Sequence, residues 1–126
     1  MGFRAWGPKQ NAVFALSVAA TQVDATQPVG FAHGGDQLKV YNSGTTDVLV
    51  AVYSHSAGAP ALSFPASGAP PVGVNGGSGR TDIVVTMVPK GAEKQISMPA
   101  TADSFAAIGS AAGPSIIYLQ RGDGST

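Results

Sequence analysis

Short runs of alternating apolar and polar residues, each about five to eight long and bounded by Gly, Pro, Asn, Asp or Ser, recur along the 126-residue chain. That period of two puts alternate side chains on opposite faces of an extended backbone, the signature of a strand with one side against a core. Residues 12–19 set Val13, Ala15 and Ser17 against Phe14, Leu16 and Val18. Residues 37–42 set Leu38 and Val40 against Lys39 and Tyr41. In 46–53, Val48, Val50 and Val52 oppose Leu49, Ala51 and Tyr53, so both faces are apolar and a central strand is expected. Further runs lie at 81–88, with Ile83, Val85 and Met87 on one face, and at 93–98, with Glu93, Gln95 and Ser97 outward. The last two are 104–109 and 115–121, the latter setting Ile116 and Tyr118 against Ile117 and Leu119.

Residues 21–35 are mostly polar, with a short strand expected near 29–32 and a turn cluster at His33–Asp36. The segment Asn42-Ser43-Gly44-Thr45 has the turn chemistry of a hairpin and predicts that 37–42 pairs with 46–53. Pro89-Lys90-Gly91 predicts a type II turn. With no segment of helical period, the expected fold is all-β, an antiparallel β-sandwich or jelly roll, and strand spacing leaves both topologies open.

Three segments fall outside the pattern. Residues 1–11 contain Phe3, Trp6 and a Gly7-Pro8 pair and read as an extended N-terminal arm ahead of a domain at 12–121. Residues 54–80 carry Pro60, Pro65, Pro70 and Pro71 among Gly, Ala and Ser, and read as a long Gly/Pro-rich loop. Leu62 and Phe64 within it need cover, either from the domain's own sheet or from another chain. Residues 122–126 read as a polar tail. Phe3, Trp6, Leu62 and Phe64 are therefore the candidate partner-binding residues.

Composition narrows the chemistry. There is no cysteine, which removes disulfides, thiolate metal sites and thiol nucleophiles. The two histidines, His33 and His55, fall in different loops, and a metal site with Asp24 or Asp36 would be short of ligands. No GxSxG elbow accompanies the serines, and no two carboxylates stand out as a pair. Gly76-Gly77-Ser78-Gly79-Arg80 lacks the Lys-Ser/Thr ending of a phosphate loop and precedes a strand. Arg121-Gly122-Asp123 spells an adhesion tripeptide but reads as the end of the last strand. The expectation is no enzyme, no catalytic or metal residue and no cofactor.

Charged residues are 11% of the chain and the formal net charge is zero, with the basic residues scattered, so neither nucleic acid nor a membrane surface is expected as partner. So little charge favours life within an assembly. No basic stretch followed by an apolar run opens the sequence, and the expectation is a cytoplasmically made chain without a secretory signal.

The run Lys39–Val52, with its Asn42-Ser43-Gly44-Thr45 turn and valine-rich strand, resembles small β-sandwich virion proteins of tailed bacteriophages, as does Val88–Ile96 with its Pro89-Lys90-Gly91 turn. The ending, Ser104–Gly109 through Ser115–Gly124, looks like their closing alanine-rich hairpin and polar tail. That resemblance covers about two thirds of the chain. It implies a capsid decoration, or cement, protein on the outside of the virion, bridging subunits of the major capsid protein and assembling as a dimer or trimer. A head-tail or tail component is the variant of this reading. The rival is a carbohydrate- or other ligand-binding module, which needs exposed aromatics as a platform. Of the tyrosines, Tyr53 and Tyr118 read as core-facing or close to the end of the barrel. The loop at 54–80 departs from the shorter turn of the resembling proteins.

Overall fold

A computed structural model of the chain describes residues 7–27, 36–62, 83–99, 101–111 and 114–123. Among these residues eight strands are formed: β1 (Gly7–Val18), β2 (Val23–Ala25), β3 (Gln37–Asn42), β4 (Val48–Tyr53), β5 (Val84–Val88), β6 (Glu93–Ser97), β7 (Ser104–Gly109) and β8 (Ser115–Asp123). They make two antiparallel four-stranded sheets, in the order β1-β8-β3-β6 and β2-β7-β4-β5. First pairs with last, second with seventh, third with sixth and fourth with fifth, as though one long hairpin were rolled up on itself. This is the jelly roll, and it resolves the choice that strand spacing leaves open.

The all-β fold and the faces of the strands agree with the alternation. Val18, Leu38, Val40, Val48, Val50, Val52, Val88, Ile117 and Leu119 all lose their solvent exposure between the sheets. Phe14 of β1 and Phe105 of β7 meet across that space with ring centroids 5.9 Å apart and planes at 54°. At about 1.5–3 kcal/mol for each fully buried Val, Leu, Ile or Phe, these side chains supply the main drive for the two sheets to close. β4 is buried along its whole length, as two apolar faces require.

The hairpin expected at 42–47 is not one. β3 lies in the first sheet and β4 in the second, so the turn carries the chain across the core. The same holds for β5 to β6 and for the closing pair β7 and β8; among the described residues the one pair of consecutive strands that hydrogen-bond is β4 with β5. The reason is visible at Asn42, a buried side chain whose amide donates to Thr46 O (2.8 Å) and Val88 O (3.0 Å) and whose carbonyl accepts the Gly44 N–H (3.0 Å). These bonds aim the backbone toward the other sheet instead of back along β3. Gly44 then passes so close to Ser115 that a Cβ would fall on that side chain and its Cα. The 89–92 turn is closed by the Ala92 N–H on Pro89 O (3.0 Å), with Gly91 at φ +74° in its third position, as a type II turn requires.

Both ends of the domain extend further than the alternation suggests. β1 begins at Gly7 and not at residue 12, pairing Gly7 with Asp123 and Pro8 with Gly122 before a register shift ahead of Val13. Residues 7–11 are thus strand rather than arm, and 122–123 strand rather than tail. Pro8 is tolerated because β1 is an edge strand. The short β2 at 23–25 was not expected. Residues 1–6, the strand expected at 29–32, residues 63–80 of the loop, and the final residues 124–126 lie outside the described residues.

Candidate functional site

The outward side chains of the first sheet follow from its register. Tyr41 of β3 stands directly opposite Tyr118 of β8, with Glu93 of β6 beyond Tyr41 and Ala15 of β1 beyond Tyr118. In the next row Val13, Gln120, Lys39 and Gln95 lie side by side. The two tyrosine rings are nearly parallel, 17° between planes, with centroids 6.4 Å apart. They are 42% and 44% exposed, and Val13 is 60% exposed. Between the rows lies an open depression of about 130 Å³, lined by Val13, Lys39, Tyr41, Glu93, Tyr118 and Gln120. Tyr118 is therefore not core-facing: in β8 the buried set is Ile117 and Leu119, and Ile116 and Tyr118 look outward. All four are large and apolar, so alternation groups them correctly without saying which pair faces the core.

Tyr53 is buried, as expected, but on the outer side of the second sheet, where it packs with Ala51, Ala106 and Leu62. Leu62 is held there by its own N–H on Gln22 Oε1 (2.7 Å), while Gln22 Nε2 donates to Pro60 O (2.8 Å). Of the two destinations that the sequence leaves open for Leu62, it takes the domain's own sheet, and at 7% exposure it has little surface to offer a partner. Phe3, Trp6 and Phe64 lie outside the described residues, as do His33 and the Gly76–Arg80 stretch.

An acid and an imidazole do approach one another at Asp103. The carboxylate accepts the His55 backbone N–H (2.8 Å), the Gln27 side-chain amide (3.2 Å) and the Ser104 hydroxyl (3.1 Å). Burial pushes this carboxyl up, but those donors and the nearby His55 imidazole outweigh it and hold Asp103 below the usual carboxylate range. Ser104 in turn accepts the Gln27 N–H (2.9 Å), which fixes Gln27 at φ +44°, a left-handed backbone. The serine thus donates to the acid and not to the imidazole, and the cluster ties the ends of β2, β4 and β7 together. Beside it, burial raises the Tyr53 hydroxyl pKa; a hydrogen bond with Thr26 opposes this, and Asp24 and Asp103 reinforce it.

Among the described residues no three His, Cys, Asp or Glu side chains lie close enough to hold a metal ion. Asp24 is an exposed acceptor for Gln22 Nε2 (2.8 Å), and Asp36 lies in the bend before β3. Arg121 is 2% exposed and donates to Ala102 O (2.9 Å), so the adhesion tripeptide has its arginine inside the domain. No helix is long and apolar enough to cross a membrane among the described residues.

No protein-family model matches this chain, and no curated protein is significantly similar to it. A solved structure of a Bacillus endospore appendage, from a family described as disulfide-linked pili, is similar at 16% identity over 97% of this chain and 96% of that one, with a TM-score of 0.44.

Proposed function

We propose that this chain is a structural protein of a tailed-bacteriophage virion, which binds the outside of the capsid and bridges subunits of its shell. The observation that carries the reading is an exposed apolar side chain on the outer face of the second sheet. Met87, 47% exposed, stands on the outer face of the second sheet beside half-buried Val85, in one row with buried Leu49 and half-buried Ile108. An exposed large apolar side chain backed by half-buried apolar neighbours suits a contact surface, and a chain with zero net charge does little to oppose association. A rolled sandwich is also stiff, so neighbouring shell subunits that bind it are held at a fixed separation. Each copy would cover about 800 Å² per contact, and the gain is multiplied over the shell.

The test is co-sedimentation of the purified chain with capsids assembled from the cognate major capsid protein. The native chain is expected to pellet with capsids at saturating stoichiometry. Met87→Glu, which places a charge on an already exposed position, is expected to weaken that association at least tenfold while leaving the thermal midpoint within about 2 °C of native. A chain that stays in the supernatant at every ratio contradicts the proposal.

A further inference from the structure

We infer that the outer face of the first sheet is a binding site for an uncharged glycan, with Tyr41 and Tyr118 as the stacking platform. This goes beyond the capsid reading, which rests on the other sheet.

Near-parallel rings whose centroids are 6.4 Å apart stand well beyond the about 3.5–4 Å separation of rings in full face-to-face contact, so neither fully covers the other. Much of each ring remains open, in keeping with their exposures of 42% and 44%. Their place in the ladder is fixed: the residues are direct partners between β3 and β8, the two central strands of the sheet, and buried Val40, Ile117 and Leu119 beneath them anchor both backbones. Two aromatic rings are thus presented on a rigid floor before any ligand arrives, which lowers the ordering penalty of binding.

The surroundings select the ligand class. The groups beside the rings are Glu93, Lys39, Gln120 and Gln95. One acid and one ammonium cancel, so no net charge favours an anionic or cationic ligand. The Glu93 carboxylate and the Gln120 amide together offer both donors and acceptors, which suits hydroxyl groups because each hydroxyl both gives and takes a hydrogen bond. A pyranose ring has an apolar face of C–H groups and a rim of hydroxyls, and matches this arrangement of apolar floor and polar surround. The depression of about 130 Å³ beside the rings is half-open, so a sugar can lie across the sheet with further residues of a glycan chain continuing beyond it.

The test uses saturation-transfer NMR on the intact chain with cellohexaose, chitohexaose, mannohexaose and polygalacturonate as probes. Transfer to ring C–H protons of at least one neutral hexaose is expected, with binding weakened about tenfold by Tyr41→Ala or Tyr118→Ala and retained in Tyr118→Phe. Because both side chains are exposed, circular dichroism of the variants is expected to match native, which separates loss of the platform from loss of the fold. No transfer to any neutral hexaose overturns the inference, as does binding that survives the double alanine variant, or a preference for polygalacturonate over all neutral probes. Loss of self-association or capsid binding in the double variant, without sugar binding in the native chain, would make this face a protein contact and also overturn it. Capsid co-sedimentation is read separately, so either proposal can fail alone.

Discussion

Asn42 is expected to be among the most sensitive positions in the domain. Its side chain is fully buried and makes hydrogen bonds to Thr46 O, Val88 O and the Gly44 N–H. Its backbone adds two more to the neighbouring turn, accepting the Gly91 N–H (2.9 Å) and donating to Ala92 O (3.0 Å). In Asn42→Ala the side-chain bonds disappear. Thr46 and Gly44 are half-buried and regain water, whereas the Val88 carbonyl, whose bond lies in the buried interior, does not. Three bonds at a net of about 1 kcal/mol each, with the unsatisfied carbonyl near the upper end, give a loss of about 3–4 kcal/mol. For a domain of this size that lowers the thermal midpoint by about 10–15 °C. Asn42→Asp sharpens the test, since it keeps the acceptor for Gly44 but turns a second oxygen toward two carbonyls. At pH 7 it should be at least as destabilised as the alanine variant and should recover part of the loss on acidification, when the carboxyl regains a donor. Urea unfolding followed by circular dichroism reads both. A loss under about 1 kcal/mol for Asn42→Ala, or an aspartate variant as stable as native at pH 7, would refute the role assigned to this side chain.

Gly44→Ala should be severely destabilising, by about 3 kcal/mol or more, because the new Cβ meets the Ser115 backbone as well as its side chain; a calorimetric midpoint within about 3 °C of native would count against that close approach. Arg121→Ala should cost about 2–4 kcal/mol in urea unfolding, from its lost bond to Ala102 O and the space vacated, and the native chain should support no RGD-dependent cell attachment. Asp103 has a lowered pKa in the folded state, so its contribution is present above the unfolded value of about 3.9 and is lost as pH falls through the folded value. Asp103→Asn should therefore flatten the acid limb of a midpoint-against-pH curve below about pH 5, and an unchanged limb would contradict the assignment.

Alternation is legible wherever one face of a strand is apolar and the other polar: in β3 it separates buried Leu38 and Val40 from Lys39 and Tyr41, and in β1 it groups the two faces without saying which one meets the core. It carries no information about which strand lies alongside, and the Asn42–Thr45 turn is the instructive case. Its residues are those of a hairpin, but what directs the chain is the reach of the Asn42 amide to Val88, a carbonyl 46 positions away. β2 escapes notice because three residues, Val23 to Ala25, are too few to display a period. The Tyr41–Tyr118 platform is hidden for a related reason: Tyr118 sits among Ile116, Ile117 and Leu119, and only the pairing of β8 between β1 and β3 decides which side meets the core. Leu62 is legible as a residue in need of cover, and its anchor at Gln22, 40 positions earlier, is not.

The measurement that bears most directly on the account is a cryo-electron microscopy reconstruction of capsids saturated with this chain. The account predicts a jelly roll at regular sites spanning adjacent shell subunits, with the Met87 face of the second sheet against the capsid. Capsids that remain bare at saturation, or density lying elsewhere than over subunit boundaries, would contradict it.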